Sequence, residues 1–351
     1  MRVLIRGVSR DGGPVLTQRR ADILNLVVDE YIGTAAPVSS RALVDRHNLD
    51  VSTATVRNEL AALEQEGYIT HPYTSAGRIP SNTGYRFYVE ELMAEEPIGA
   101  DERRTIEHQF YQVAPGLDEW LQLAASVLAA AVGNVAVVAR PQRPVPHLRQ
   151  AQLVHLRPGA ALLVGVLDDG SIQERIVAVP EDEGQPELLA RASRLNDRLS
   201  LSDSERIRTI APQFEDDDDR RLTLEIADLV AEGASAAQLF IEGIRAALAQ
   251  PEFSTTDRML DAVEHLEAYE LRGALRPPHS PDPGARVLIG DENERSWLHD
   301  WTMVISAFGE PGGAVGSVAV LGPTRMHYGH TIPRVRYFAR LMTDLLHELD
   351  G

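Results

Sequence analysis

The chain has 351 residues, 44% hydrophobic and 25% charged, which is typical of two or three globular domains and excludes a disordered or fibrous protein. It contains no cysteine and no lysine, which excludes disulfides, thiolate nucleophiles, cysteine-ligated metals, P-loop phosphate binding and Schiff-base chemistry. The net charge of -18 is unevenly distributed. Residues 1–90 hold ten arginines and ten acidic residues and are neutral, so the excess of acidic residues lies in the rest of the chain. A polyanion is therefore repelled everywhere except at the N-terminal end.

Two segments bear on membrane insertion and export. The stretch from Leu121 to Arg140 approaches spanning length, but it is rich in alanine and interrupted by Gly133-Asn134, so we expect a helix followed by a strand. Residues 1–14 have too short an apolar core for a signal peptide and are expected to form an N-terminal extension without regular structure. These features predict a cytoplasmic protein.

Three short helices are predicted at the start of the chain. They run from Thr17 to Gly33, from Ser39 to His47 and from Ser52 to Gly67, and each begins with a hydroxyl side chain that can cap it. Asn48 can adopt the left-handed cap after the second helix. Three helices in about 50 residues predict a compact unit.

The third helix has the pattern of a DNA recognition helix. Its outer face carries small and hydrogen-bonding residues, with Arg57 and Asn58 suited to guanine and adenine edges. Ser52, Thr53 and Thr55 at its start can bind phosphates. The alternative is a solvated face on a small helical bundle.

A β-hairpin is predicted after the third helix, with strands at residues 68–70 and 78–79 and a turn at 74–77. Three helices and a hairpin predict a winged helix, which can place arginine in the minor groove. A further helix is predicted near Ser81, where Tyr85 and Tyr88 are interpreted as core residues rather than base-stacking ones. The complete candidate DNA-binding set is Ser39, Arg41, Ser52, Thr53, Thr55, Arg57, Asn58, His71, Thr74, Ser75 and Arg78.

The rest of the chain predicts an α+β body. Strand-like segments occupy residues 134–179, a helical stretch without a convincing strand follows from 181 to 275, and strands resume between 286 and 322 before a last helix. A sheet interrupted by helices indicates an insertion.

These residues resemble the heat-inducible transcription repressor family, HrcA. The N-terminal part of the resemblance rests on STATVRNEL continuing into GYI, TSAGRIP and GYRFYV. The body carries further motifs of the same family: IEG at 241–243, PEF at 251–253, VLIGDEN at 287–293 and LGPTRM at 321–326. The sequence departs from the family in residues 1–14, which precede its usual start, and at His327, where an acid is common.

The resemblance implies an N-terminal winged helix-turn-helix, residues 15–95, and a GAF-like domain, residues 96–180 and 251–351. It implies a mainly helical dimerisation insert at residues 181–250. It also implies a homodimer that represses chaperone operons at an inverted-repeat operator, is released by heat, and has a GroEL-type chaperonin as the partner that keeps it active.

No catalytic site, metal site or cofactor is predicted. The pair His327 and His330 is expected in a loop because of Gly329 and Pro333, and a metal site is disfavoured there. The acidic run at 215–219 lacks the EF-hand pattern. Glycines between 309 and 316 suit a hairpin rather than a dinucleotide fingerprint.

Two rival functions remain open. A ligand-responsive repressor is possible because the sheet domain resembles small-molecule sensors, although its strands carry no clustered polar set. An enzyme with an attached winged helix would need a nucleophile or a metal cluster. Arg325 is interpreted as a buried structural pair, with a ligand or chaperonin surface as the alternative.

Overall fold

The computed structural model describes residues 16–72, 77–113, 116–142, 145–168, 170–233, 238–255, 266, 284–310 and 313–350. Within these ranges the fold is mixed α+β, as predicted. The expected N-terminal extension at residues 1–14 lies outside them. Thr74, Ser75 and much of the predicted helical stretch after residue 255 also lie outside.

Three helices and a two-stranded antiparallel sheet form the N-terminal unit. They are α1 Gln18–Thr34, α2 Ser40–His47, α3 Thr53–Gln65, β1 Ile69–Thr70 and β2 Ile79–Pro80. The predicted caps are confirmed, because the hydroxyls of Thr17, Ser39 and Ser52 each accept a hydrogen bond from a backbone N–H three residues later. Buried leucines and valines from all three helices meet between them.

The C-terminal end of α1 differs from the prediction. The helix continues to Thr34, and Ala35 rather than Gly33 marks its end, in the left-handed region at φ 52°. This conformation is strained for alanine, but its N–H bonds to the Tyr31 carbonyl at 2.9 Å, which satisfies one of the free carbonyls at the helix end. Asn48 adopts the predicted left-handed cap of α2 at φ 47°.

The N-terminal unit continues into α4, Asn82–Phe87, which is capped by Ser81 as predicted and extended by a π-helical turn at Tyr88–Leu92. Tyr85 and Tyr88 are buried, with ring centroids 5.9 Å and 6.4 Å from that of Tyr328 in the body. Their interpretation as core residues is confirmed. The same hydrophobic cluster contains residues of the N-terminal unit and of the body, so the two share one core.

The body alternates helices and strands. In chain order its elements are α5 Ala100–Gln112, α6 Leu117–Val132, β3 Val135–Gln142, β4 Leu148–Arg157, β5 Ala160–Leu167, β6 Ile172–Ala178, α7 Gln185–Leu199, α8 Ser204–Ile210, α9 Asp217–Gly233, β7 Leu239–Glu242, α10 Ile244–Leu248, β8 Arg286–Ile289, β9 Trp301–Gly309, β10 Val315–Pro323 and α11 Tyr328–Asp350.

A five-stranded antiparallel sheet lies at the centre, in the order β7-β3-β10-β9-β8. Alternate residues of its strands face opposite sides, and both sides are covered. On one side Val138 and Val320 pack against α6 and α11. On the other side Val137 and Ala319 lie in a cluster with Phe253. Every residue of β9 and β10 is buried, which explains their continuous apolar sequence.

The strands β4, β5 and β6 form a separate three-stranded antiparallel sheet. One face packs against α7 and α9 in a hydrophobic cluster of its own. The predicted boundary places residues up to 180 in the central sheet domain and begins the insert at 181. The structure corrects this grouping, since strands 148–178 share their core with helices 185–233. Strand-like sequence does not specify a partner, because pairing is a long-range contact.

The strand β7 is a second correction, because residues 181–275 were predicted to contain no strand. It pairs antiparallel with β3 through residues 239–242 and returns the chain to the central sheet. Its four residues are too few for a clear alternation of apolar and polar positions.

The last helix, α11, is a third correction because it begins at Tyr328 and includes His330 and Pro333, where a loop was predicted. Proline removes the backbone hydrogen bond to the Gly329 carbonyl. The Glu96 N–H donates to that carbonyl instead, at 2.8 Å, so the helix tolerates the proline. In the ranges that the structure describes, none of the helices has the length and apolarity needed to cross a bilayer.

Candidate nucleic-acid interface

The outer face of α3 is exposed. Val56, Leu60 and Leu63 point into the core of the N-terminal unit, whereas Arg57 and Asn58 are exposed on the other side. Ala54 and Ala61 flank them and are also exposed. Arg57 forms no ion pair or hydrogen bond with the described part of the chain. This face therefore combines small residues, which permit close approach to a groove, with two side chains that can read base edges.

Hydroxyl groups mark the N-terminal ends of α2 and α3. Ser39 Oγ accepts a hydrogen bond from the Ala42 N–H, and Ser52 Oγ accepts one from the Thr55 N–H, both at 3.1 Å. Thr55 Oγ1 lies 2.9 Å from Ser52 Oγ, and Thr53 is half-buried at the first helical position. The capping bonds use acceptor lone pairs, and the positive end of each helix dipole favours an approaching phosphate.

Arg41 lies on α2 with its guanidinium in solvent. Its ion-pair partner is Asp45 one turn later, with Nε and Oδ2 3.4 Å apart. Exposed pairs of this kind contribute roughly 0–1 kcal/mol, so Arg41 can exchange Asp45 for a phosphate at little cost.

His71 and Arg78 are brought together by a residue that the sequence did not single out. Both contact the Glu64 carboxylate on α3: Arg78 Nη2 lies 2.7 Å from Glu64 Oε2, and His71 Nδ1 bonds to Oε1. The backbone of Arg78 also pairs with Val38 through two hydrogen bonds, at 2.7 Å and 2.8 Å. Arg78 therefore ties the hairpin to α3 and to the segment just before α2, and these structural contacts compete with its predicted reach into a groove.

The close approach of the hairpin to Val38 requires glycine at position 77. A Cβ atom at Gly77 would lie 2.6 Å from the Val38 carbonyl oxygen, which is backbone and cannot move away. The two predicted hydroxyl contacts at the turn, Thr74 and Ser75, lie outside the described residues.

Ion pairs between α1 and α3 were also missed by sequence reasoning. Arg20 Nε donates to Glu59 Oε2 at 3.0 Å, and a second nitrogen of Arg20 bonds to Glu66. These partners lie 39 and 46 residues apart, so no local pattern could reveal them. They help to fix the angle between α1 and α3, and with it the orientation of the exposed face.

Polar contacts attach the N-terminal unit to the body. Arg86 on α4 bonds to the Glu292 carboxylate and, at 2.8 Å, to the Val287 carbonyl. Asn82 Nδ2 donates to Asp291 Oδ1 at 2.8 Å. The exposed face of α3 is therefore held in a defined position relative to the central sheet.

Arg325 forms a structural ion pair, as predicted, but the pair is half-buried rather than buried. Its guanidinium bonds twice to the Glu252 carboxylate, once to Gln250 Oε1 and once to the Ile32 carbonyl in α1, the last two at 3.3 Å. Burial raises the pKa of the nearby Tyr31 hydroxyl, and the Glu252 carboxylate acts in the same direction. Arg325 thus links α1 to the body.

Comparisons with known proteins agree with the sequence motifs. A family model described as HrcA protein C terminal domain matches residues 118–332. The chain is 40% identical over 345 residues to a heat-inducible transcription repressor HrcA of Roseiflexus castenholzii, and the match covers 96% of each chain. It is 38% identical over 356 residues to the heat-inducible transcription repressor HrcA of Chloroflexus aggregans, covering 96% of this chain and 94% of the relative.

A solved structure of a protein described as hypothetical has the same fold. It superposes with a TM-score of 0.59 at 20% sequence identity, covering 95% of this chain and 99% of that one. With relatives above 30% identity over nearly the whole length, the chain belongs to the heat-inducible transcription repressor family HrcA, whose members are transcription repressors and not enzymes.

Proposed function

We propose that this protein represses chaperone operons by binding an inverted-repeat operator as a homodimer. The observation that carries the proposal is the exposed α3 face, with Arg57 free of described partners beside Asn58. In this arrangement residues 16–95 act as a winged-helix DNA-binding domain and α3 enters the major groove. The hairpin of β1 and β2 is proposed to contact the DNA beside α3. Because the target is operon DNA, the proposed location is the cytoplasm.

The charge of the chain supports contact through the N-terminal unit alone. Residues 1–90 are neutral overall, whereas acidic residues outnumber arginines 42 to 24 in the remainder. The body therefore repels DNA and leaves the N-terminal unit as the approachable end. Ser39, Arg41, Ser52, Thr53 and Thr55 are assigned to phosphates.

A homodimer is proposed because a single unit of this size makes few phosphate contacts. Non-specific affinity from such contacts is about 10⁻⁴ to 10⁻⁶ M, whereas two units on a palindrome reach about 10⁻⁸ M or better. A two-fold axis in the protein matches the symmetry of an inverted repeat.

The outer face of the three-stranded sheet is the proposed dimer interface. The strand register aligns Val154, Leu162 and Ile176 in one row across all three strands, and Ile172 lies opposite Val166. Val154, Ile172 and Ile176 are exposed, the last at 68%. A row of aliphatic side chains on a sheet face is typical of an interface. The proposed dimerisation domain accordingly spans residues 145–233, inserted into a GAF-like domain of residues 96–142 and 238–351.

The interface is tested by the oligomeric state of Ile176→Glu. A buried carboxylate on a two-fold interface is expected to weaken dimerisation at least about 100-fold in sedimentation equilibrium. Thr209→Glu, an exposed position on α8, is the matched control and should leave the dimer unchanged. A dimer of wild-type strength in Ile176→Glu would place the interface elsewhere.

Release of the repressor from DNA by heat, and its restoration by a chaperonin, are proposed on the basis of family membership. Unfolding of the body on heating would remove active repressor, and a GroEL-type chaperonin would restore it. The expectation is that chaperonin raises the active fraction without changing the affinity of each active dimer.

The deciding experiment measures binding to a chaperone-operon inverted repeat and to a scrambled duplex of equal length, at about 0.15 M salt, with and without chaperonin. We expect a preference of about 10³ or more for the repeat. Equal, weak binding to both duplexes even with chaperonin would refute operator recognition.

Arg57→Ala tests the role of α3 in the same assay. If the guanidinium reads a base, its loss costs about 1–3 kcal/mol and relaxes the preference at one position in each half-site. If it contacts phosphate, the loss is uniform across sequences. Arg104→Ala on α5 is the matched control, and wild-type specificity in Arg57→Ala would remove Arg57 from the interface.

A further inference from the structure

An arginine-rich cleft lies where the chain leaves the N-terminal unit. It has a volume of about 240 Å³ and is formed by residues 95–98, the start of α5 and the middle of α11. Arg103, Arg336 and Arg340 line it together with Glu95, Tyr337 and Ile98. We call it the arginine cleft. None of these residues belongs to the proposed DNA interface.

The guanidinium of Arg336 is incompletely satisfied. Its side chain is only 16% exposed and one terminal nitrogen bonds to the Glu95 carboxylate. Its Nε is buried and has no hydrogen-bond partner among the described residues. A buried N–H without an acceptor is unfavourable. The terminal guanidinium nitrogens of Arg336 are the groups available to an oxyanion in the cleft, and one of them is already bonded to Glu95.

Two further arginines lack strong partners inside the arginine cleft. Arg340 is exposed and forms no ion pair with any residue in the described ranges. Arg103 lies with its guanidinium carbon 6.0 Å from the ring centroid of Tyr337, and the Tyr337 hydroxyl lies 3.4 Å from a Glu107 oxygen. The neighbouring Glu102 is occupied by Arg334. Three guanidinium groups against one cleft carboxylate make an unusual positive site in a body that is otherwise strongly acidic.

We propose that the arginine cleft binds a small oxyanion of the phosphate class, either inorganic phosphate or a phosphate monoester. Guanidinium groups recognise phosphate oxygens through paired, charge-assisted hydrogen bonds. A volume of about 240 Å³ is small compared with the roughly 300–1,000 Å³ of typical ligand pockets, which favours a compact ligand over a nucleotide. Ile98 offers an apolar contact for the carbon part of a monoester.

Glu95 is the internal competitor in this proposal. Its carboxylate occupies Arg336 when no ligand is bound, and it is exposed enough to turn into solvent when an oxyanion arrives. The ligand would then connect the segment after the N-terminal unit to α11. The binding claim does not depend on operator recognition.

Isothermal titration of the full-length protein with inorganic phosphate, at ionic strength held constant with chloride, tests the proposal. We expect one saturable site with a dissociation constant on the order of 1 mM or tighter. Arg336→Gln should weaken binding at least about tenfold, and Arg340→Gln about three- to tenfold. Glu95→Gln should tighten it about three- to tenfold, since it removes a like charge and a competitor. A merely structural arginine cluster would not show this gain.

Matched controls separate this site from the DNA interface. Arg104→Gln on α5 and Arg57→Gln on α3 should each leave phosphate affinity within about twofold of wild type. A parallel titration with glycerol 2-phosphate identifies the source: tighter binding than phosphate indicates a monoester, and equal binding indicates the free ion. Because Arg336→Gln could unfold, the more exposed Arg340 and Glu95 variants decide the matter. Absence of saturable binding at 10 mM phosphate (about tenfold above the expected constant), or an unchanged affinity in both of those variants, would overturn the proposal.

Discussion

Arg325 provides a direct test of how the N-terminal unit is attached to the body. Arg325→Met keeps much of the aliphatic volume and removes the guanidinium, which bonds to the Glu252 carboxylate, to Gln250 and to the Ile32 carbonyl. We expect the free energy of unfolding to fall by about 2 kcal/mol.

The magnitude follows from partial burial. Breaking a fully buried ion pair costs about 3–5 kcal/mol, whereas an exposed pair contributes about 0–1 kcal/mol. The side chains of Arg325 and Glu252 are 13% and 27% exposed, which places this pair between the two limits. The Arg325 guanidinium also bonds to Gln250 and to the Ile32 carbonyl. Because these bonds are lost as well, the expected loss of about 2 kcal/mol lies above the range for an exposed pair.

Urea denaturation followed by far-UV circular dichroism measures the effect, with a double-mutant cycle through Glu252→Gln. A direct pair predicts a coupling energy of about 1–2 kcal/mol. Arg104→Met, at a guanidinium that is 75% exposed in a local pair with Asp101, is the control and should change stability by no more than about 0.5 kcal/mol. Strict additivity of Arg325→Met and Glu252→Gln, or a loss as small as that of the control, would refute the reasoning.

Three further stability predictions use the same urea assay. Gly84→Ala should cost about 3 kcal/mol, because its Cβ would lie 2.0 Å from the Tyr68 carbonyl oxygen. Gly33→Ala, with open space around the position, should instead stabilise α1 by about 0.4–1 kcal/mol. A similar effect of both substitutions would contradict this. Arg191→Met removes a buried guanidinium that holds three carboxylates and should cost about 3–5 kcal/mol, so a loss below about 1 kcal/mol would argue against it. Partial desolvation lowers the pKa of His327, and the nearby His330 acts in the same direction. As the pH falls below about 6.5, the unfolded chain therefore takes up the proton first and stability falls. His327→Gln should lose less stability than wild type between about pH 7 and 5, and parallel curves would count against this.

Local features of the N-terminal unit were predictable from sequence. The caps at Thr17, Ser39, Ser52 and Ser81 each join a hydroxyl to a backbone N–H three residues away, so the information lies within one turn of chain. The inward face of α3 follows from helical periodicity for the same reason. Arg325 was predicted as a buried pair, although its partner was not.

Partners separated by long stretches of chain were not predictable. The strand-like sequence of β4, β5 and β6 is equally compatible with either sheet, and only packing against α7 and α9 assigned these strands to their own core. His71 and Arg78 look like free groove-reading side chains in sequence, yet both meet the Glu64 carboxylate once the hairpin folds onto α3.

The sequence by itself therefore determined the α+β class, the N-terminal helices with their caps, and the family to which the chain belongs. Those properties reside in periodicity, in contacts three or four residues apart and in contiguous motifs. The tertiary structure alone decided the grouping of the strands, the partners of Arg78 and Arg325, and the meeting of Arg103, Arg336 and Arg340 in one cleft. Each of these depends on which distant segments pack together, and that choice is made by burial of apolar surface across the whole fold rather than by any local pattern.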